Sequence, residues 1–208
     1  MLPKNCYRLL FLLPVLPLAL LIPSISAGQG VLSGQLVASP ESSQPDLGSW
    51  EYTLTVQWDT GSELGLLSLS LYLDELSRGC TCGELQMAVV PSDTVGFSTG
   101  IPARCPVYYD STFDCFGDPI LPVTGQMFRM TPFVGQYCEP DSIGEGIFTF
   151  FSFYAPVEVE SSQNLFLVNE WEEFAGAGTV TGAFPGLPCD PLHEEQTSWG
   201  CLKSRYSN

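Results

Sequence analysis

The stretch Trp50-Glu-Tyr-Thr-Leu-Thr-Val-Gln-Trp-Asp59 decides the fold class. Trp50, Tyr52, Leu54, Val56 and Trp58 are apolar, whereas Glu51, Thr53, Thr55, Gln57 and Asp59 are polar. Successive side chains of an extended chain point to opposite sides. Strict alternation therefore describes a strand with one face on a core and the other in water. Turn residues follow in Asp59-Thr-Gly-Ser62, and Leu67, Leu69, Leu71 and Leu73 then alternate with Ser68, Ser70 and Tyr72. Two alternating runs across a short glycine-containing turn predict a β-hairpin.

On either side of this pair the chain continues as short runs. Strands are expected over 31–38, 85–90, 123–130, 146–154, 156–160, 164–168 and 178–184, with 107–109 and 113–116 forming a second hairpin. No long run has the helical period, and the connections are too short for strand-helix-strand crossovers. The expected class is all-β: an antiparallel β-sandwich over 28–186, with a barrel as the alternative. Composition changes after Gly186. Trp199, Leu202 and Tyr206 recur at helical spacing beside Lys203 and Arg205. Residues 187–208 therefore read as a tail with a short amphipathic helix docked on the domain, or as an exposed basic-aromatic sorting tag.

The first 27 residues have the layout of a secretory signal peptide. Lys4 and Arg8 precede an apolar run over 9–22, and small residues lead to a cleavage point near Ala27. Pro14 and Pro17 break the run, which falls short of the about 20 apolar residues that a membrane span needs. An uncleaved anchor is the weaker reading. The expected location is extracellular, or periplasmic, after removal of residues 1–27.

Charge narrows the function classes. The 208 residues carry 7 Lys+Arg and 23 Asp+Glu, a net charge of −16. Loss of Lys4 and Arg8 leaves five cations against 23 acids, or −18. Such a surface repels phosphate backbones, so nucleic acid is excluded as a partner. His193 is the one histidine, and no G-x-S-x-G motif occurs, which argues against serine hydrolase chemistry.

Of the eight cysteines, Cys6 precedes the cleavage point, and Cys80, Cys82, Cys105, Cys115, Cys138, Cys189 and Cys201 remain. In an oxidising compartment these read as disulfides rather than a zinc site. Proximity in sequence favours Cys105–Cys115 and Cys189–Cys201. Cys80 and Cys82 point the same way in extended chain and should reach two different partners, with Cys138 the best candidate for one. The odd count leaves one thiol free or available to a second chain.

Three constellations could carry a site. Asp110, Asp114 and Asp118 recur every four residues among Tyr108, Tyr109, Phe113 and Phe116, and converging carboxylates would suit Ca²⁺. Asp in turns also caps local backbone, which is the competing explanation. Glu139, Asp141 and Glu145 form a second acidic loop, and calcium gains weight if both loops share one end of the fold. Glu170-Trp-Glu172-Glu173 places acids beside an aromatic, a combination found in sugar-binding clefts, and a carboxylate-based glycoside hydrolase needs only two acids at a set separation. The run Phe148-Thr-Phe-Phe-Ser-Phe-Tyr154 is apolar on both faces, and fits either a strand covered on both sides or an exposed aromatic platform. The expected function is that of a secreted binding or surface-assembly module for a glycan, a cell-surface protein or Ca²⁺. The alternatives are the glycoside hydrolase and a purely structural domain.

Overall fold

The computed structural model describes residues 31–73, 79–102, 104–187 and 189. The expected signal segment 1–27, the expected tail helix and Cys201 lie outside the described residues. The strands are β1 (Leu32–Ser39), β2 (Trp50–Asp59), β3 (Leu66–Tyr72), β4 (Val90–Ile101), β5 (Cys105–Asp114), β6 (Met127–Pro132), β7 (Glu139–Pro140), β8 (Ile143–Ser152), β9 (Pro156–Asn169) and β10 (Phe174–Pro185). One short helix, α1 (Cys82–Ala88), precedes β4. Among the described residues no helix is long and apolar enough to cross a membrane.

The strands close into a barrel, not a sandwich. Neighbours run β5-β6-β3-β9-β10-β1-β2-β8-β4, and a β4–β5 ladder joins the two ends into a nine-stranded ring. The two-residue β7 pairs with β4 beside it. Alternation is identical in either architecture, because each puts one face on a core. What decides is pairing, and here the last strand of the order meets the first. Most ladders are antiparallel, but β1 and β10 pair in parallel over Ser33–Leu36. Gly178 and Gly182 make that seam: a Cβ at either would run into the carbonyl oxygen of Leu32 or Leu36. Gly182 also sits at φ +114°, where only glycine is unstrained.

β2 occupies the interval that its alternation predicts, but its partner is different. It pairs with β1 and β8, whereas β3 pairs with β6 and β9. The expected β2–β3 hairpin is therefore absent. The intervening loop crosses the barrel end instead, with the Thr60 amide donating to Ser142 and the Gly65 carbonyl accepting from Glu170. The second expected hairpin is one continuous strand, β5, and the runs 156–160 and 164–168 merge into β9. Residues 85–90 begin in α1 and end in β4. Thr81 caps the helix: its hydroxyl accepts from the Glu84 amide, and the Glu84 carboxylate accepts from the Thr81 amide at 2.7 Å.

The inward faces fill the barrel. Tyr52 stacks on Phe150 at 5.1 Å, Phe150 meets Phe128 and Phe184, and Tyr109 meets Phe148 edge-on. Leu36, Leu54, Val56, Leu69, Leu71, Leu165, Leu167 and Val180 complete the core. A barrel of this size has just enough interior for its own side chains.

Candidate functional site

Two parts of the outer wall carry apolar side chains. On β3, β6 and β9, Met127, Phe166 and Val168 point outward and are buried under segment 115–126, which lays Leu121, Ile120 and Val123 over them. On β4, β5 and β8 the outward residues stay uncovered. Phe97 pairs across the ladders with Tyr108 and Ile147. Phe97 remains 49% exposed and Tyr108 47%. Ile101, two positions further along the same side of β4, is also exposed.

The backbone beneath this face is tied down. β6 ends at Pro132, and the strand backbone of Tyr108 is then satisfied by the next loop. Its carbonyl accepts from the Phe133 amide at 3.0 Å and from Gln136 Nε2 at 3.1 Å, and its amide donates to Gln136 Oε1 at 2.9 Å. A disulfide between Cys105 and Cys138 closes the same loop, which adds exposed Val134 and Tyr137 to the surface. On the inner side Ser98 and Tyr109 hydroxyls share a hydrogen bond of 2.9 Å within the core. Burial raises the Tyr109 phenol above its ordinary pKa, opposed in part by Ser98.

β4 inverts the usual pattern. Over Phe97–Ile101 its inward positions are small or polar (Ser98, Gly100) and its outward positions are Phe97, Thr99 and Ile101, whereas Val95 before them is buried in the core. No core-facing apolar alternation marks the Phe97–Ile101 part of this strand in the sequence. The inversion itself was the available signal.

The acidic residues go elsewhere. Asp114 and Asp118 converge on Arg129, whose Nη2 lies 2.7 Å from Asp118 Oδ2 and 3.6 Å from Asp114 Oδ2. Asp114 Oδ1 also accepts from the Phe116 and Gly117 amides, and Asp118 Oδ1 from Ile120. Asp110 is exposed and accepts from the Ser111 amide. A guanidinium thus stands where a metal ion would be needed. Among the described residues no group of three or more His, Cys, Asp or Glu could hold one. The second acidic loop lies at the other end of β5, because Cys105 and Pro140 both pair with Gly100 while Asp114 ends the strand. Asp141 there accepts from the Ser142 amide, and its carbonyl accepts from Trp58 Nε1. Glu170, Trp171, Glu172 and Glu173 form the exposed β9–β10 turn, organised by Asn169 Oδ1. The run 148–154 is a covered strand for most of its length: Phe148, Phe150 and Phe151 are buried, and Phe153 is exposed.

The disulfides correct the pairing expected from proximity. Cys105 begins β5 and Cys115 follows its end, so ten residues of extended strand hold them roughly 30 Å apart, far beyond bridging distance. Cys105 pairs with Cys138, Cys115 with Cys82, and Cys189 with Cys80 rather than Cys201. Cys80 and Cys82 do reach two different partners, and Cys138 is neither of them. Comparison with family models, with curated proteins and with solved structures finds no match to this chain.

Proposed function

We propose that this protein is an extracellular binding module that holds a neutral glycan against the Phe97–Tyr108 face. The observation that carries the reading is the directly opposed, half-exposed pair on rigid neighbouring strands. Rings standing on a sheet offer flat apolar surface to the apolar faces of sugar rings, and exposed patches of this kind mark binding sites. The Cys105–Cys138 bridge and the Gln136 hydrogen bonds set the ring positions before a ligand arrives, which lowers the ordering cost of binding. A net charge of −16 disfavours sulfated or otherwise acidic saccharides. Three intrachain disulfides are consistent with an oxidising extracellular compartment, and the N-terminal segment supplies a route of export.

The test is a glycan array of neutral and acidic saccharides, followed by calorimetry on the best hit. Binding of a neutral glycan is expected, with at least a tenfold loss in the Phe97→Ala/Tyr108→Ala double variant. Retained affinity in that variant, or a silent array, would remove the proposal.

A further inference from the structure

We infer that the barrel carries a second, chemically separate site for a neutral polyhydroxylated ligand, on the outer wall of β10, β1 and β2. It rests on residues other than the aromatic face, and stands or falls independently of it.

The register builds this surface. Along β1, Ser33 lies between Thr179 of β10 and Gln57 of β2, and Gln35 lies between Thr181 and Thr55. Two adjacent rows of hydroxyl and amide side chains therefore face outward on the same three strands. Their inward alternates are Gly34, Val56 and Val180, of which the two valines are fully buried. An open depression of about 320 Å³ lies here, lined among the described residues by Ser33, Gly34, Gln35, Thr55, Gln57 and Thr181. That lies at the low end of the range for small-molecule sites, about 300–1,000 Å³.

The lining selects the ligand class by what it offers. Among the described residues it contains no Lys or Arg to pair with an anion, and no carboxylate to pair with a cation. Glu145 stands at the rim, where it accepts from Gln57 Nε2 at 2.9 Å and repels anions further. Among the described residues no aliphatic or aromatic side chain lines the depression, so an apolar ligand would bury hydroxyls and amides without partners. Hydroxyls and amides both donate and accept, and a sugar's own hydroxyls do the same. β1 and β4 are separated by β2 and β8, so the depression and the aromatic face look in different directions around the curved wall.

An amide NMR titration with glucose, galactose and N-acetylglucosamine tests this, each at about 10 mM, tenfold above a Kd of 1 mM. Shifts are expected at Ser33, Gln35, Thr55, Gln57 and Thr181 for at least one sugar. They should persist in Phe97→Ala/Tyr108→Ala and vanish in Gln35→Ala/Thr181→Ala. Thr55→Val, which removes a hydroxyl at nearly constant volume, should weaken them on an unchanged fold. No shift at these amides with any of the three sugars overturns the inference, and so does a shift that survives Gln35→Ala/Thr181→Ala. Shifts at the depression alongside a silent array would retain this site and discard the aromatic one.

Discussion

The outer walls of β3–β6–β9 and of β4–β5–β8 are built alike but finished differently. Each presents large apolar residues outward: Met127, Phe166 and Val168 on one, Phe97, Tyr108 and Ile147 on the other. Over the first lies segment 115–126, fastened by the Cys82–Cys115 bridge and by Asp118 on Arg129. Among the described residues nothing comparable lies over Phe97 and Tyr108, which remain about half exposed. The same chain thus has the means to cover an apolar wall and uses it on one side. Where a wall is covered, its residues serve stability. Where it is left bare at a cost in solubility, the exposure supports the proposed binding role.

Substitution inside the covered wall should have the largest effect. Phe166 is buried between Tyr72 and Phe174, with ring centroids 6.1 and 6.4 Å away. Phe166→Ala is expected to cost about 3–5 kcal/mol in urea unfolding, as buried aromatic truncations do. Cys82→Ser/Cys115→Ser comes next. Releasing the fastening of the cover should cost about 2–4 kcal/mol, and hydrogen exchange should accelerate first in segment 115–126. If exchange rises instead around β4 and β5, the two walls are not independent units.

The polar fastening is worth less. Asp118→Asn leaves Arg129 with Asp114 at 3.6 Å as its remaining ion pair in a largely buried setting. The expected loss is about 1–3 kcal/mol, discounted from fully buried pairs because the Arg129 side chain keeps 24% of its exposure. The same geometry predicts that millimolar CaCl₂ leaves the melting temperature where EDTA leaves it. A rise specific to Ca²⁺ and abolished by Asp114→Asn would mean that the carboxylates can release Arg129 for a metal.

How legible this was in the sequence differs between the elements. β2 was plain, because ten alternating residues have no other periodic reading. Its partners were not, because alternation encodes which way a side chain faces and not which strand lies alongside. β4 stayed hidden: Ser98 and Gly100 point inward, and Phe97 and Ile101 outward. α1 is two turns long, too short for its period to show, although Thr81-Cys-Gly-Glu84 is a capping box that could have marked its start. Proximity misled on the cysteines, since an extended strand carries near neighbours in sequence far apart in space. The aromatic site was half visible. Tyr108 stood out among the acids, but its partner Phe97 lay on the strand that the pattern concealed.

Tyr108 and Tyr109 repeat the wall comparison on adjacent residues. Tyr109 faces the core, and burial holds its phenol above the ordinary pKa of 10.0; Tyr52 is raised for the same reason while donating to the Tyr154 carbonyl. A raised acid pKa means that the folded state favours the neutral phenol. The associated stability is complete below pH 10, where both states are protonated. It is lost at higher pH, as the unfolded chain ionises first. Denaturant midpoints should therefore be level from pH 8 to 9.5 and fall above about pH 10. Tyr109→Phe should flatten part of that fall, and a decline that begins well below pH 9 would place its cause elsewhere.

The smallest expected change in stability is the most informative. Phe97 and Tyr108 project from the wall with about half their surface in water, and neither packs on a covering segment. Phe97→Ser and Tyr108→Ser should each shift the unfolding free energy by no more than about 0.5 kcal/mol, the usual range for surface positions. Phe166→Ser, on the covered wall, should unfold the protein or come close to it. Removing exposed aromatics should also raise solubility, because the uncovered patch shrinks. If Phe97→Ser instead costs several kcal/mol, the pair is holding β4 against β5, and its exposure would no longer argue for a ligand. A near-neutral stability change together with lost glycan binding would separate the two walls by purpose, one kept for the fold and one for a partner.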